Sequence, residues 1–234
     1  MIITIHQPQY LPWLGYFDKI SKADVFILLD NVQFKKNEWQ NRNRIRSAEG
    51  WQWLTIPVLH NFGTKINEMK INHQEPWRRK HLRALELNYS KAPFFDLYFP
   101  HFQNILNKEW ENLSEVNICF VRKIMELLGI KTKIVLASAY EAAEHKTLRL
   151  VDLCKHLKME TYLSGEGGEK YLDLKQFEEN HINIVTQKYQ HPTYAQLWQN
   201  KNGSGFISHL SVVDLLFNCG PESLTILTAR GEVS

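Results

Sequence analysis

Short apolar runs alternate with amphipathic stretches along the chain, and this pattern predicts alternating strands and helices. Residues 1–5 and 25–29 are apolar runs rich in β-branched residues, which is typical of buried strands. Residues 14–22, between these runs, have a pattern compatible with a helix. The order strand, helix, strand predicts a βαβ unit at the start of the chain.

Later segments repeat this alternation. Strands are predicted at residues 133–137, 161–163 and 182–185, with amphipathic helices between them and a last helix at 211–218. Residues 44–58 contain two strand patterns on either side of a polar turn, and they predict a β-hairpin.

Between these α/β parts the chain carries helical signals. Prolines mark helix starts, Ser114 is a good N-cap, and Gly129 ends the last of these helices. We therefore predict a single α/β domain over residues 1–234, with a three-layer, mainly parallel, Rossmann-like sheet of about five strands. A helical insertion is predicted at about residues 76–128.

Composition and charge exclude several classes of protein. The chain has 234 residues and a net charge of +3, which is too weak to indicate binding to nucleic acid or to a membrane surface. No apolar run approaches the ~20 residues that span a bilayer, and the first residues do not resemble a signal peptide. Cys119, Cys154 and Cys219 lack the spacing of a redox or metal motif. We therefore expect a cytoplasmic protein with reduced cysteines, no membrane span and no nucleic-acid partner.

Several familiar catalytic centres have no counterpart in the sequence. The ten histidines are scattered without an HxH or HExxH pair, so the sequence indicates no metal site. It also contains no GxSxG elbow and no P-loop. What remains is acid–base and electrostatic chemistry by histidine, carboxylate and arginine side chains.

The segment after the first predicted strand concentrates polar and aromatic side chains around two prolines, which should make it stiff. His6 lies at the end of the first strand and Asp30 at the end of the second. Ligands of open α/β sheets bind beyond the carboxyl ends of the strands, so these two residues are the candidate catalytic groups. His6 would act as a general base or stabilise developing charge, and Asp30 would orient an ammonium group or a ribose. The alternative for His6 is a loop histidine that only hydrogen-bonds the backbone. The other candidates in this segment would bind substrate: Gln7, Gln9, Tyr10 and Trp13.

Residues 31–46 are dense in amides, lysines and arginines, and they predict a second wall of the same crevice. Arginine forks bind phosphate or carboxylate oxygens bidentately, and Trp13 or Trp39 could stack on a ring. A solvated surface loop is the alternative. The candidate substrate-binding residues of this wall are Gln33, Lys36, Trp39, Asn41, Arg42 and Arg44.

Two later positions complete the predicted crevice. Ser164 begins a glycine-rich loop after a predicted strand, where it could contact a ribose or sugar hydroxyl. A flexible connecting loop is the alternative for this segment. His191 lies in a polar and aromatic segment after the next predicted strand.

Several blocks of the sequence resemble the WbqC-like protein family. The run HQPQYLPWLGYF at residues 6–17 is similar to the family's signature, and residues 30–34 and 39–42 resemble its second block. Later blocks are similar as well: residues 162–165, 191–196 and 211–220. Such proteins occur in loci for O-antigen and other surface polysaccharides. The resemblance implies a transferase or amide-forming enzyme whose small-molecule substrate is an amino sugar, in its nucleotide-linked form.

The opening βαβ pattern and the pair Gln33-Phe34 also resemble pantothenate synthetases and related nucleotidyltransferases. This weaker resemblance implies ATP as a cofactor and an ATP-dependent ligase that forms an acyl-adenylate. The HxGH pair of those enzymes is absent here, and the residues themselves identify no cofactor.

A further alternative is a non-catalytic accessory protein that binds a glycan precursor or a partner enzyme. The sequence indicates no oligomeric state.

Overall fold

The computed structural model describes residues 1–168, 172–199 and 205–229, and the backbone of residues 231–233. Its strands are β1 (Ile2–His6), β2 (Val25–Leu28), β3 (Arg42–Ser47), β4 (Gly50–Thr55), β5 (Lys133–Leu136), β6 (Thr161–Ser164), β7 (Asn183–Tyr189) and β8 (Gly231–Val233). Its helices are α1 (Leu14–Ser21), α2 (Trp77–Tyr89), α3 (Phe95–Leu106), α4 (Leu113–Leu128), α5 (Lys146–His156), α6 (Leu174–Glu179), α7 (Val212–Cys219) and α8 (Ser223–Thr228).

The main sheet confirms the predicted parallel, Rossmann-like architecture. Its strand order is β5-β2-β1-β6-β7-β8. The first five strands are parallel, and β8 runs antiparallel to β7. The chain moves outward from β1 through β2 to β5 and then returns to β6 on the other side of β1. The strand order therefore reverses between β1 and β6, and this is the switch point at which open α/β sheets bind ligands.

Helices cover both faces of the sheet, and each face has its own apolar core. Ile3 and Ile5 of β1 pack with helices α5 and α6. Because strand side chains alternate between faces, Thr4 and His6 point to the opposite face, which α1 covers. Phe26 of β2 lies in the core on that side. The switch point thus presents His6 toward helix α1.

Helices α2, α3 and α4 occupy the predicted insertion. Their apolar sides join one core with α1 and α7, in which the ring centroid of Phe102 lies 6.1 Å from that of Phe120 and 5.5 Å from that of Phe217. Gly129 ends α4 with a φ of 75°, as a C-terminal glycine should. The predicted N-cap at Ser114 is wrong: Asn112 holds the cap position, and Ser114 lies buried in the first turn.

Strands β3 and β4 form a separate two-stranded antiparallel sheet, which confirms the predicted hairpin. Its register pairs Arg42 with Thr55 at one end and Ser47 with Gly50 at the turn. No helix in the described part of the chain is long and apolar enough to span a membrane.

Candidate functional site

His6 ends β1 at the switch point and is half-buried. Its Nδ1 atom lies 3.2 Å from the carbonyl oxygen of Gln7, which can only accept, so Nδ1 carries the proton and Nε2 keeps a free lone pair. The ring of Tyr16, from helix α1, packs edge-on at 5.1 Å. Burial, and secondly the charge of Lys19, lowers the pKa of His6 to about 3. The imidazole is therefore neutral at pH 7.

Lys19 is a buried lysine beside His6 that the sequence analysis did not select. It lies on α1 with only 4% of its surface exposed, and its Nζ atom is 3.5 Å from the carbonyl oxygen of Ile5. Among the described residues the neighbouring Asp18 forms no ion pair with it, and its Oδ2 atom binds Lys22 at 2.8 Å instead. Burial lowers the pKa of Lys19 to about 7. The sequence marks Lys19 only as part of an Asp-Lys pair in a predicted helix, and the burial of residues 14–20 is visible in the structure alone.

Asp30 follows β2, one strand away from His6 on the side opposite β6. It is 3% exposed, and both oxygens of its carboxylate are occupied. Oδ1 accepts a hydrogen bond from the backbone N–H of Ser138 at 2.9 Å, and Oδ2 accepts one from the Ser138 hydroxyl at 2.7 Å. Asp30 therefore ties the end of β2 to the end of β5, and it presents Ser138 at the surface.

The loop between β1 and α1 is held by amide side chains from distant parts of the chain. Asn117 of α4 donates to the carbonyl of Pro8 at 3.4 Å, and Asn43 of β3 donates to that of Leu11 at 2.7 Å. The amide of Gln40 donates to the Gln7 side chain at 2.7 Å. Leu11 has a φ of 42°, a left-handed conformation that leucine rarely adopts. These contacts fix a strained loop in one conformation.

Besides Gln7, three predicted substrate-binding residues are part of this scaffold. Tyr10 is buried, and its hydroxyl lies 2.8 Å from Nδ1 of His81. His81 Nε2 donates to the carbonyl of Thr55, so Nδ1 accepts from Tyr10. Asn41 is buried and donates to the carbonyl of Ile56 at 3.0 Å. Gln9 is 7% exposed, and its Oε1 atom is buried without a hydrogen-bond partner.

An aromatic cluster joins the loop after β1 to the end of β7. The Trp13 ring lies 5.4 Å from that of Tyr189 and stacks on His209 at 5.3 Å. The His209 ring lies 5.0 Å from that of His191. Burial lowers the pKa of His191 to about 4. The structure therefore brings Trp13 and His191 together through Tyr189 and His209, which the sequence analysis did not select.

Ser164 ends β6, directly across the switch point from β1. It is 1% exposed, and its hydroxyl donates to the carbonyl of Gly165 at 3.1 Å. Gly168 packs so closely on Ser164 that a Cβ atom there would collide with the hydroxyl. The glycine at this position therefore allows the loop to close over Ser164.

The remaining predicted residues lie on the hairpin and on the loop before it. Gln33 and Lys36 are exposed on that loop, where Gln33 forms a single β-bridge with Lys65. Arg42 and Arg44 lie on β3 and pack against tryptophan rings. Nη2 of Arg44 donates to the carbonyl of His209 at 3.3 Å, which connects the hairpin to the aromatic cluster.

One open cleft does not coincide with this site. A cleft of about 500 Å³ lies between β4 and α2, and residues such as Trp53, Lys80 and Leu87 line it. It contains none of the candidate catalytic residues. The lysine and arginine side chains that line the cleft already form ion pairs; Nζ of Lys80, for example, lies 3.0 Å from the carboxylate of Glu75. We therefore place the candidate site at the switch point.

Among the described residues, no group of three His, Cys, Asp or Glu side chains is arranged to hold a metal ion.

Comparisons with known proteins cover nearly the whole chain. The sequence model of the WbqC-like protein family matches residues 7–226. An uncharacterized protein of Mycobacterium tuberculosis is 39% identical over 228 residues, which span 94% of this chain and 95% of that protein. No solved structure matches the chain.

Proposed function

Because this chain belongs to the WbqC-like protein family, we propose that it is a transferase or amide-forming enzyme that attaches an acyl or aminoacyl group to an amino sugar. The amino sugar would be carried as its nucleotide-linked form, in the biosynthesis of a surface polysaccharide such as O-antigen. This context comes from the family. The chemistry is supported by the side chains at the switch point.

One observation carries the proposal: two nitrogen bases, His6 and Lys19, lie together at the switch point, and burial keeps both less protonated than usual. Amide formation needs a neutral amine and a group that accepts its proton as the C–N bond forms. The neutral imidazole of His6 has a free Nε2 lone pair, which can accept this proton as the C–N bond forms. Cys154 packs in the core on the other face of the sheet, where burial raises the pKa of its thiol to about 12 and disfavours the nucleophilic thiolate.

In the proposed reaction the amine nitrogen of the sugar attacks the carbonyl carbon of the acyl donor. The bond from that carbon to the leaving group breaks, and the amine loses one proton. His6 would accept this proton at Nε2 and pass it to the leaving group. Lys19 would position His6 and oppose its lasting protonation. Asp30 would act through Ser138, whose hydroxyl oxygen can accept a hydrogen bond from the sugar.

The test incubates purified protein with UDP-linked amino sugars and acyl donors, namely acyl-CoA thioesters or amino acids with ATP, and measures product mass. We expect one added acyl group, formed at least ~100-fold more slowly by His6→Ala, the usual contribution of a general base. His60→Ala, which changes an exposed histidine, is the control. Release of pyrophosphate that depends on an amino acid would identify the protein as an ATP-dependent ligase, the alternative enzyme class. No product, and no thermal stabilisation by any millimolar amino sugar or nucleotide sugar, would overturn the proposal.

A second candidate is a non-catalytic accessory protein that binds a glycan precursor. It is favoured by three exposed tryptophans on and beside the hairpin, Trp39, Trp51 and Trp53, with 37%, 44% and 38% of their surfaces exposed. Polysaccharide production in cells separates the two candidates. Full activity of His6→Ala, with loss of activity on replacing these tryptophans, would select the accessory role.

A further inference from the structure

One face of the hairpin carries arginine and tryptophan side chains together. The register places Arg42 opposite Thr55 and Arg44 opposite Trp53, and directly opposed residues of an antiparallel pair share a face. Trp51 lies two residues before Trp53 on that face, and Trp39 packs against Trp53 with ring centroids 5.8 Å apart. We call this set the tryptophan–arginine face: Trp39, Arg42, Arg44, Trp51 and Trp53.

Tryptophan rings, rather than carboxylates, hold the two guanidinium groups. The Cζ atom of Arg42 lies 4.2 Å from the centroid of Trp53. That of Arg44 lies 5.2 Å from Trp51, 5.7 Å from Trp39 and 5.9 Å from Trp53, so three rings surround it. Such contacts restrict a long side chain without using its N–H donors in the guanidinium plane. Both arginines are therefore pre-organised cations.

The donors of these two guanidinium groups are largely free. Within the described residues, neither Arg42 nor Arg44 forms an ion pair, and the Nε atoms of both are buried without a hydrogen-bond partner. The side-chain hydrogen bond from Arg44 to His209 uses a single donor. Arg46, the next arginine on the strand face, differs because it donates to backbone carbonyls of Leu197, Trp198 and Gly205. The fold therefore uses the guanidinium group of Arg46, whereas among the described residues the side chain of Arg42 forms no hydrogen bond and that of Arg44 forms one, from Nη2.

The tryptophan–arginine face adjoins the switch point. The backbone N–H of Tyr10 donates to the carbonyl of Trp39 at 3.0 Å. Arg44 binds the carbonyl of His209, whose ring stacks on Trp13. The loop after β1 and the aromatic cluster therefore connect the switch point with the hairpin.

We propose that the tryptophan–arginine face binds the diphosphate and base of a nucleoside diphosphate, with the forks of Arg42 and Arg44 on phosphate oxygens. Alternate residues of a strand are about 7 Å apart, so two adjacent forks can share a diphosphate. The exposed tryptophan surfaces offer a ring on which the base can stack. This inference rests on the proposed function in one respect only: the sugar attached to the diphosphate is taken to reach His6.

The test measures binding of UDP, ADP and GDP to the full chain by calorimetry and by quenching of tryptophan fluorescence. We expect at least one nucleotide to bind, and Arg44→Gln or Arg42→Gln to weaken its binding at least ~10-fold, as loss of a charge-assisted hydrogen bond does. Arg44→Lys keeps the charge but loses the fork, and it should recover only part of the affinity. The matched control is Arg79→Gln, which removes one exposed arginine of α2.

Two further ligands separate the parts of the site. Inorganic pyrophosphate should bind more weakly than the nucleotide and remain sensitive to Arg42→Gln, whereas uridine without phosphate should not respond to it. Equal affinity of wild type and the folded Arg42→Gln/Arg44→Gln double variant would overturn the inference, as would absence of binding by all three nucleotides. If neither wild type nor His6→Ala forms an amide but the nucleotide still binds, only the proposed reaction is overturned. The inference about the tryptophan–arginine face then stands.

Discussion

Lys19 is the residue whose position in the fold is least expected from its chemistry. A buried ammonium group is unfavourable unless a carboxylate or several hydrogen bonds compensate it, and among the described residues Lys19 forms a single side-chain hydrogen bond, at 3.5 Å. Burial lowers its pKa to about 7, while an unfolded chain keeps it near 10.5. Between these values the unfolded chain binds a proton that the folded protein has released. Folding stability should therefore rise with pH through this window.

The substitution Lys19→Met tests this linkage directly. Between pH 8 and pH 10 we expect the unfolding free energy of the wild type to increase by about 1 kcal/mol per pH unit relative to Lys19→Met. Urea unfolding at several pH values measures the difference. Lys80→Met, an exposed lysine of α2, is the control. Parallel pH profiles for wild type and Lys19→Met would show that Lys19 keeps its ordinary proton affinity.

His6 should make the protein sensitive to acid. Its pKa is about 3 in the folded state, against 6.5 in a model peptide, so the unfolded chain takes up a proton first as the pH falls. Between pH 6 and pH 4 the wild type should lose about 1 kcal/mol per pH unit more than His6→Gln. Denaturant titrations at these pH values provide the measurement, with His60→Gln as control. Equal losses in wild type and His6→Gln would contradict the assignment of a neutral His6.

At the scale of elements, the loop between β1 and α1 shows what local sequence patterns can and cannot predict about conformation. Its prolines predict stiffness, but its conformation is fixed by Gln40, Asn43 and Asn117, and the last contacts Pro8 across 109 positions of sequence. No local pattern distinguishes an amide that binds substrate from one that holds a loop. The chemistry of Gln9, Tyr10 and Asn41 predicts contacts with substrate, but all three lie buried in this scaffold.

Asn117→Ala tests the importance of this scaffold. The amide donates to the carbonyls of Pro8 and Gln40, so its removal leaves two buried acceptors unpaired. We expect a loss of about 1–3 kcal/mol in the free energy of unfolding. We also expect weaker binding of any ligand that reaches His6, because the loop loses its anchor. Arg122→Ala, at an exposed position of the same helix, is the control. A stability unchanged by Asn117→Ala would show that the prolines alone fix the loop.

At the scale of the whole molecule, the strand and helix periods were enough to predict a parallel, Rossmann-like sheet. The order of the strands in the sheet could not be predicted from the sequence, because it depends on the edge of the sheet to which each helical connection returns the chain. Strand β8 pairs with β7 through residues 231–233, beyond the last predicted element. The predicted ends of β1 and β2 placed His6 and Asp30 on neighbouring strands, as observed. Lys19 was missed because helix periodicity cannot show that a lysine faces a sheet.

The single predicted domain can be tested through its core. Phe102 of α3 is fully buried between Phe120 and Phe217, which belong to α4 and α7. We expect Phe102→Ala to reduce the free energy of unfolding by about 3–5 kcal/mol and to leave one cooperative transition. Calorimetry measures both quantities, with the exposed Leu97→Ala of the same helix as control. Two separate transitions would show that the insertion folds as its own unit.

The position of a bound UDP-linked amino sugar in a crystal tests the central claim most directly. The proposal places the sugar amine within hydrogen-bond distance, about 2.6–3.2 Å, of His6 Nε2 at the switch point between β1 and β6. The diphosphate should then lie on Arg42 and Arg44. A ligand bound instead in the cleft between β4 and α2, with His6 and both arginines free of contact, would contradict the claim.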